Sequence, residues 1–234
     1  MRNPKDAKES ARQLALDLPV EPRFGEEDFL VSPSNEAAYA LVESWPDWPA
    51  KALLIVGPPG SGKSHLAAIW AARAGARIIP AAALKLADLP ALAAAGAVLV
   101  EDAEQAVQAE AALFHLFNLM RETGGALVLA ANSPPDAWGL TTPDLLSRLR
   151  LAPMAAIDPP DDALVRAVLV KLLVDRQLIV DTALVEFVAV RLDRSLDAAR
   201  RFVAALDREA LERGRRITRL MAGDVLRAME QGEA

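Results

Sequence analysis

The sequence predicts an α/β domain built on a five-stranded parallel sheet, followed by a small all-helical domain. Three observations predict it. Five short apolar runs alternate with helical patterns over the first two thirds of the chain. Strands that are apolar throughout, rather than alternating, are buried on both faces, as in a parallel sheet covered by helices. After Asp158-Pro159-Pro160 the strand signal stops and only helical periods remain. And a glycine-rich loop follows the first strand and opens a helix.

The elements run as follows. Residues 1–22 read as a flexible tail, with mixed charges and then Gln13-Leu14-Ala15-Leu16-Asp17-Leu18-Pro19; Pro19 and Pro22 discourage helix beyond it. From Asn35, a residue suited to cap a helix, Ala37, Ala38, Leu41 and Val42 give a helical period ending near Pro46. Ala52–Val56 is a strand, followed by the glycine turn and a helix through about Ala74. Arg77–Ile79, Ala97–Val100, Leu127–Ala131 and Met154–Ile157 are the other strands. Leu113, Leu116, Phe117 and Met120 fall at i, i+3, i+4, i+7 and predict an amphipathic helix. Beyond the boundary near 158, helices are predicted around Leu164/Val168/Leu172, Leu184/Phe187/Val188, Leu196/Ala199/Val203/Leu206/Ala210 and Val225/Leu226/Met229. Leu178–Val180 stays open between strand and helix. The expected organisation is thus a tail (1–22), an α/β domain (23–158) and a helical domain (159–234).

Composition narrows the chemistry. The chain has 234 residues, 53% of them hydrophobic, enough for a sizeable core. Its 26 Lys+Arg against 32 Asp+Glu leave a net charge of −6, which argues against bulk electrostatic attraction to nucleic acid or anionic membrane. Absence of cysteine removes disulfides, thiolate zinc sites and cysteine nucleophiles. With two histidines, His65 and His115, a His-rich metal site is excluded as well, and both are read as packing residues. The charged N-terminus does not resemble a signal peptide, and the longest apolar run, Leu89 to Val100, contains Pro90 and Gly96 and is too short to span a bilayer. A cytoplasmic setting without membrane attachment is the expectation.

Gly57-Pro58-Pro59-Gly60-Ser61-Gly62-Lys63-Ser64 matches G-x-x-x-x-G-K-[ST] in the required place, between a strand and a helix. Such a loop curls backbone N–H groups around a β-phosphate, aided by the helix N-terminus. Lys63 is then placed to reach the β- and γ-phosphates of ATP or ADP, and Ser64 to ligate Mg²⁺. A P-loop fold also needs an acid at the end of a neighbouring strand, which Glu101-Asp102 supplies: Glu101 toward the metal and Asp102 toward an attacking water. The usual order has Asp first. With Glu first, nucleotide binding is expected to survive and hydrolysis to be slow.

These pieces, with Asn132 at a later strand end, Ser147-Arg148 before the last strand and an arginine in the helical part, resemble the AAA+ ATPases. Gly62–Leu66 (GKSHL), Leu127–Pro135 (LVLAANSPP), Pro143–Leu149 (PDLLSRL) and Leu192–Phe202 (LDRSLDAARRF) look like the DnaA branch. Phe29–Asn35 resembles the segment with which that branch encloses adenine. The resemblance implies nucleotide contacts from Gly57, Pro58, Gly60, Ser61, Gly62, Lys63, Ser64, His65 and Arg194, the last as lid arginine. It implies a metal site at Ser64 and Glu101, a polar sensor at Asn132, and an arginine finger at Arg148 that enters a neighbouring subunit's site. Arg150 is read as a surface residue.

DnaA itself carries a DNA-binding domain after the lid, whereas this sequence ends at Ala234, so it resembles more the shorter DnaA-related regulators of the Hda type. In that setting Gln13, Leu14, Leu16 and Leu18 look like the peptide by which proteins bind the bacterial sliding clamp. The resemblance then implies a regulator of replication initiation that docks on the clamp (the β subunit of DNA polymerase III) and stimulates ATP hydrolysis by DnaA in trans. Its ADP form would be the active one, with weak or no ATPase of its own, no sequence-specific DNA contact, and a homo-oligomer left open. Two alternatives stand beside it: an autonomous AAA+ ATPase such as a helicase loader, and a nucleotide-gated adaptor. Arg194, Arg201, Arg208 and Arg215 recur every seven residues, thickened by Arg200, Arg213, Arg216 and Arg219. With Asp197, Asp207, Glu209 and Glu212 interspersed, they read as a solvated helix face.

Overall fold

The computed structural model describes residues 25–48 and 51–232. All five expected strands form, within a residue or so of their predicted ends: β1 (Ala52–Val56), β2 (Arg77–Pro80), β3 (Ala97–Glu101), β4 (Ala126–Ala131) and β5 (Met154–Ala156). They make one sheet of order β2-β3-β4-β1-β5 in which every pairing is parallel. Register is fixed by burial on two sides. In β1, Leu53 and Ile55 face one core with Leu66 and Trp70, while Ala52, Leu54 and Val56 face the other with Leu113 and Leu116. A one-residue slip would exchange the two sets.

Helix α1 (Glu36–Glu43) and α2 (Lys63–Ala74) cover the first side. There Trp70, wholly buried, lies 5.7 Å from the stacked ring of Trp48 and 6.4 Å from the edge-on ring of Trp45. Helices α3 (Leu89–Ala94), α4 (Glu110–Thr123) and α5 (Pro143–Leu151) cover the second side. The apolar run Leu89–Val100 therefore divides into α3 and β3. Asp88 caps α3 by accepting from Ala91 N at 3.1 Å, and Gly96, at φ +80, makes the turn between them.

The last third is helical as expected: α6 (Asp162–Asp175), α7 (Thr182–Ala189), α8 (Leu196–Arg213) and α9 (Arg219–Glu230). Each is capped by a side chain at its first turn, Asp161, Asp181, Ser195 and Thr218 in turn. They enclose a core of their own around Leu169, Phe202, Val203 and Leu206. Leu178–Val180, left open above, forms neither strand nor helix. The arginine heptad does not run along one helix: Arg194 precedes α8 and Arg215 follows it, past Gly214. Within α8, Arg201 pairs with Asp197 at 3.2 Å and Arg213 with Glu209, as on a solvated face, whereas Arg200 is half-buried. No helix among the described residues is long and apolar enough to cross a membrane. The tail reading, with Gln13, Leu14, Leu16 and Leu18, lies outside the described residues.

Candidate functional site

Sheet order assembles the site. Strands β1, β4 and β3 are consecutive neighbours, and all point the same way. Their carboxyl ends therefore bring the glycine loop, Asn132 and Glu101-Asp102 to one edge of the sheet, the place where open α/β folds bind ligands.

The loop leaves β1 with Gly57 N donating to Ala131 O at 3.2 Å. A Cβ at Gly57 would stand 2.8 Å from Ile157 O and 2.7 Å from Ser61 Oγ, so only glycine fits. Gly60 and Gly62 take φ +74 and +100, a region that side chains disfavour, and this turns the chain into α2. A Cβ at Gly60 would meet Ser195 Oγ at 2.0 Å, and Leu196 N donates to Gly60 O at 2.8 Å. The start of α8 is thus seated on the loop. Inside the curl, Ser61 Oγ is buried and has no hydrogen-bond partner among the described residues.

Lys63 is 7% exposed, and its Nζ donates to Asn132 Oδ1 at 2.6 Å. Ser64 Oγ lies 3.5 Å from Glu101 Oε2. Burial, and next the neighbouring Asp102 carboxylate, push the Glu101 carboxyl up, against the opposing pull of Lys63 and Ser64. Asp102 itself adopts φ +51, an uncommon conformation for a residue with a side chain. The donors fit the ligands that a P-loop implies. A loop of turned backbone, a buried ammonium and an orphaned hydroxyl suit a phosphate chain, whereas Ser64 and Glu101 offer the hard oxygen donors that Mg²⁺ takes beside phosphate and water.

A cavity of about 680 Å³ opens next to the loop, within the range of small-molecule sites. Gly62 and His65 line its loop end, Phe29 and Leu30 one wall, and α6 and α8 the other through Leu164, Leu172, Leu196 and Arg200. The segment Phe29–Asn35 is self-braced. Buried Asn35 accepts from Ser32 N at 2.8 Å and donates to Leu30 O at 3.0 Å. Lys171 of α6 ties this segment to the helical part, 2.6 Å from Asp28. His65 packs edge-on against Phe29, 5.3 Å between rings, with Nε2 2.9 Å from Gly25 O. Burial pushes its imidazole below the ordinary value. It is a wall residue of this cavity as well as a packing residue.

Arg194 stands elsewhere. It is exposed, pairs with Asp162 at 3.1 Å, and lines a separate small cavity with Arg166. The arginines at the large cavity are Arg176, just after α6, and Arg200 and Arg201, little more than one turn into α8.

Arg148 is likewise away from its own chain's loop. It is half-buried on α5, donates to Asn118 Oδ1, and lies 4.9 Å over the Phe114 ring of α4. Arg150 pairs with exposed Asp136, as a surface residue does. Glu110, at the first turn of α4, holds the start of α5: it accepts from Thr141 N at 2.9 Å, Thr142 N and Thr141 Oγ1. Burial would raise this carboxyl, but the Thr142 and Thr141 donors outweigh it and hold it down to about 2. A carboxyl depressed in the fold adds stability above its unfolded pKa and loses it as pH falls toward the folded one. Glu110→Gln is therefore expected to cost about 1 kcal/mol at pH 7, after solvent screening, and progressively less between pH 4.5 and pH 2. Urea titrations of both chains at several pH values measure this; a difference constant with pH would show that the carboxylate charge is not what holds α5.

Of the expected site residues, the structure brings together Gly57, Pro58, Gly60, Ser61, Gly62, Lys63, Ser64, His65, Glu101, Asp102 and Asn132. Glu104 is the member that the sequence did not mark. Its carboxylate accepts from Asn132 N at 3.2 Å and from the Asn132 side-chain amide.

No protein-family model matches the chain. Solved structures do. Domain III of the Thermotoga maritima replication initiation protein DnaA is 21% identical, with TM-score 0.74, over 90% of this chain and 98% of that one. The AMPPCP-bound DnaA of Aquifex aeolicus is 18% identical, with TM-score 0.64, over 76% and 62%. A Thermotoga maritima RuvB is 16% identical, with TM-score 0.62, over 88% and 72%. At these identities the likeness is one of fold: an α/β core with a five-stranded parallel sheet followed by a helical domain, as in the DnaA domain.

Proposed function

We propose that this chain is a nucleotide-dependent regulator of replication initiation. It binds ADP or ATP with Mg²⁺ at the Gly57–Ser64 loop, docks on the DNA sliding clamp through Gln13, Leu14, Leu16 and Leu18, and presents Arg148 to a DnaA-type partner whose ATP hydrolysis it stimulates. The domain limits 1–22, 23–158 and 159–234 belong to the same reading, as does its cytoplasmic setting.

The observation that carries it is the separation of two functions on one chain. The loop, Lys63, Asn132 and Glu101 form a phosphate site, while Arg148 is braced on α4 by Asn118 and Phe114, far from contact with that site. A guanidinium held ready but unused by its own subunit suits donation in trans, where it stabilises the charge that develops on transferring phosphoryl oxygens. Within the site, Ser64 and Glu101 would hold Mg²⁺, which when bound would neutralise phosphate charge. Lys63 binds the phosphates, Asn132 senses the terminal one, and α8 closes the loop through Ser195 and Leu196. The Glu101-Asp102 order and the left-handed backbone at Asp102 support a poor intrinsic hydrolase.

Binding of purified bacterial sliding clamp to the intact chain and to Gln13→Ala/Leu16→Ala tests the docking step. The intact chain is expected to bind, and the variant to bind at least about 10-fold more weakly with an unchanged melting temperature, since a rim hydrogen bond from Gln13 and a groove contact from Leu16 each carry about 1 kcal/mol or more. Absence of clamp binding by either, together with ATP turnover and salt-sensitive binding of single-stranded DNA, would replace this reading with the autonomous ATPase.

A further inference from the structure

Lys63, Asn132 and Glu104 form a relay whose hydrogen-bond chemistry admits one arrangement. An ammonium only donates, so the atom facing Lys63 Nζ at 2.6 Å must be the carboxamide oxygen of Asn132. A carboxylate only accepts, so the amide nitrogen faces Glu104. Glu104 also accepts from the backbone N of the same residue, at 3.2 Å, so its grip on Asn132 is double. The one donor group that this side chain owns is thereby turned away from Lys63, the residue that reaches the β- and γ-phosphates in a P-loop.

We infer that Glu104 is a positioning residue that competes with a third phosphate for the amide of Asn132, and so tilts the site from nucleoside triphosphate toward diphosphate. The inference rests on the nucleotide reading above. A diphosphate needs the loop and Lys63 and leaves the relay intact. A terminal phosphate is an acceptor with extra negative charge. To gain a hydrogen bond from Asn132 it must draw the amide off Glu104, and it approaches a carboxylate one side chain away, a like-charge neighbour that disfavours it. Glu104 thus acts through Asn132 and need not touch the nucleotide.

The experiment is calorimetric titration of the full chain with Mg²⁺-ADP and with Mg²⁺-AMPPCP, which is not hydrolysed, for wild type, Glu104→Gln, Glu104→Ala, Asn132→Ala and the double variant Glu104→Gln/Asn132→Ala. Glu104→Gln keeps an acceptor and removes the charge. It is expected to leave ADP affinity within about twofold and to tighten AMPPCP binding by about threefold to tenfold, with Glu104→Ala at the upper end, and the gain should vanish in the Asn132→Ala background. Equal changes for both nucleotides, accompanied by a lower melting temperature, would make Glu104 a structural brace and overturn the inference. An unchanged ratio in both Glu104 variants would overturn it too. A wild-type chain that binds neither nucleotide would overturn the nucleotide reading and this inference with it, a result distinct from the other two.

Discussion

Arg148→Ala is expected to leave this chain folded and nucleotide-bound while cutting its stimulation of a DnaA-type ATPase by 10³-fold or more, the scale on which a guanidinium supplied in trans accelerates phosphoryl transfer. The local cost is small. Arg148 is half-buried and gives up one hydrogen bond to Asn118 and one cation–π contact at 4.9 Å with Phe114, together about 1–2 kcal/mol. Neither partner, Asn118 nor Phe114, belongs to the Gly57–Ser64 loop, so on the proposed reading ADP affinity should stay within about twofold of wild type. Arg150→Ala is the matched control: it removes a guanidinium two residues on, paired with exposed Asp136, and should lose little stimulation. Asn118→Ala keeps the finger and loosens its brace, so its loss should fall between the two. Partner ATPase assays with each variant, at equal ADP occupancy, make the comparison. Full stimulation by Arg148→Ala would mean that the chain works as a nucleotide-gated adaptor without a finger.

Much of this architecture was legible because local and global signals agree. The five strands are continuous apolar runs, and a parallel sheet covered on both faces asks for that pattern, so their limits were readable to within a residue or so. The four C-terminal helices begin at Asp161, Asp181, Ser195 and Thr218, residue types whose side chains cap first turns. The phosphate loop was legible because its glycines answer backbone demands that the structure then displays, a positive φ at Gly60 and Gly62 and no space for a Cβ at Gly57. What escaped has the opposite character. Helix α3 was hidden in an apolar run shared with β3, since burial alone does not separate a helical from an extended segment. Glu104 and Asn118 are ordinary polar residues in sequence. They acquire roles only when β4 and α5 bring Asn132 and Arg148 to them, 28 and 30 residues along the chain. The regular spacing of Arg194, Arg201, Arg208 and Arg215 suggested one stripe. The cap at Ser195 and the break at Gly214 divide it, and leave Arg200 and Arg201 rather than Arg194 at the cavity.

Lys63→Ala should abolish useful nucleotide binding, and the size of the effect follows from the geometry. Lys63 is the charged donor at the centre of the site, 7% exposed, and its ammonium is held at 2.6 Å by a single neutral oxygen, that of Asn132. Replacing it removes charge-assisted contacts to the phosphates, each worth about 1.5–3 kcal/mol, and leaves Glu101, already pushed up by burial and Asp102, without its cationic neighbour. A loss of about 3 kcal/mol weakens affinity by roughly 150-fold. Thermal melting reads this directly. At a nucleotide concentration of about 100 times the wild-type Kd, binding stabilises the fold by about 2.7 kcal/mol. For a chain of this size that raises Tm by roughly 5–10 °C. At the same concentration the variant, with Kd about 150-fold higher, gains only about 0.3 kcal/mol and roughly 1 °C. Without nucleotide, the variant should melt close to wild type, because removing a buried ammonium with one polar partner relieves about as much desolvation as it forfeits in hydrogen bonding. The comparison thus separates ligand from fold: a nucleotide-induced rise in Tm that persists in Lys63→Ala would place the phosphates somewhere other than the Gly57–Ser64 loop, and would take the sensing role of Asn132 and the metal role of Ser64 and Glu101 away with it.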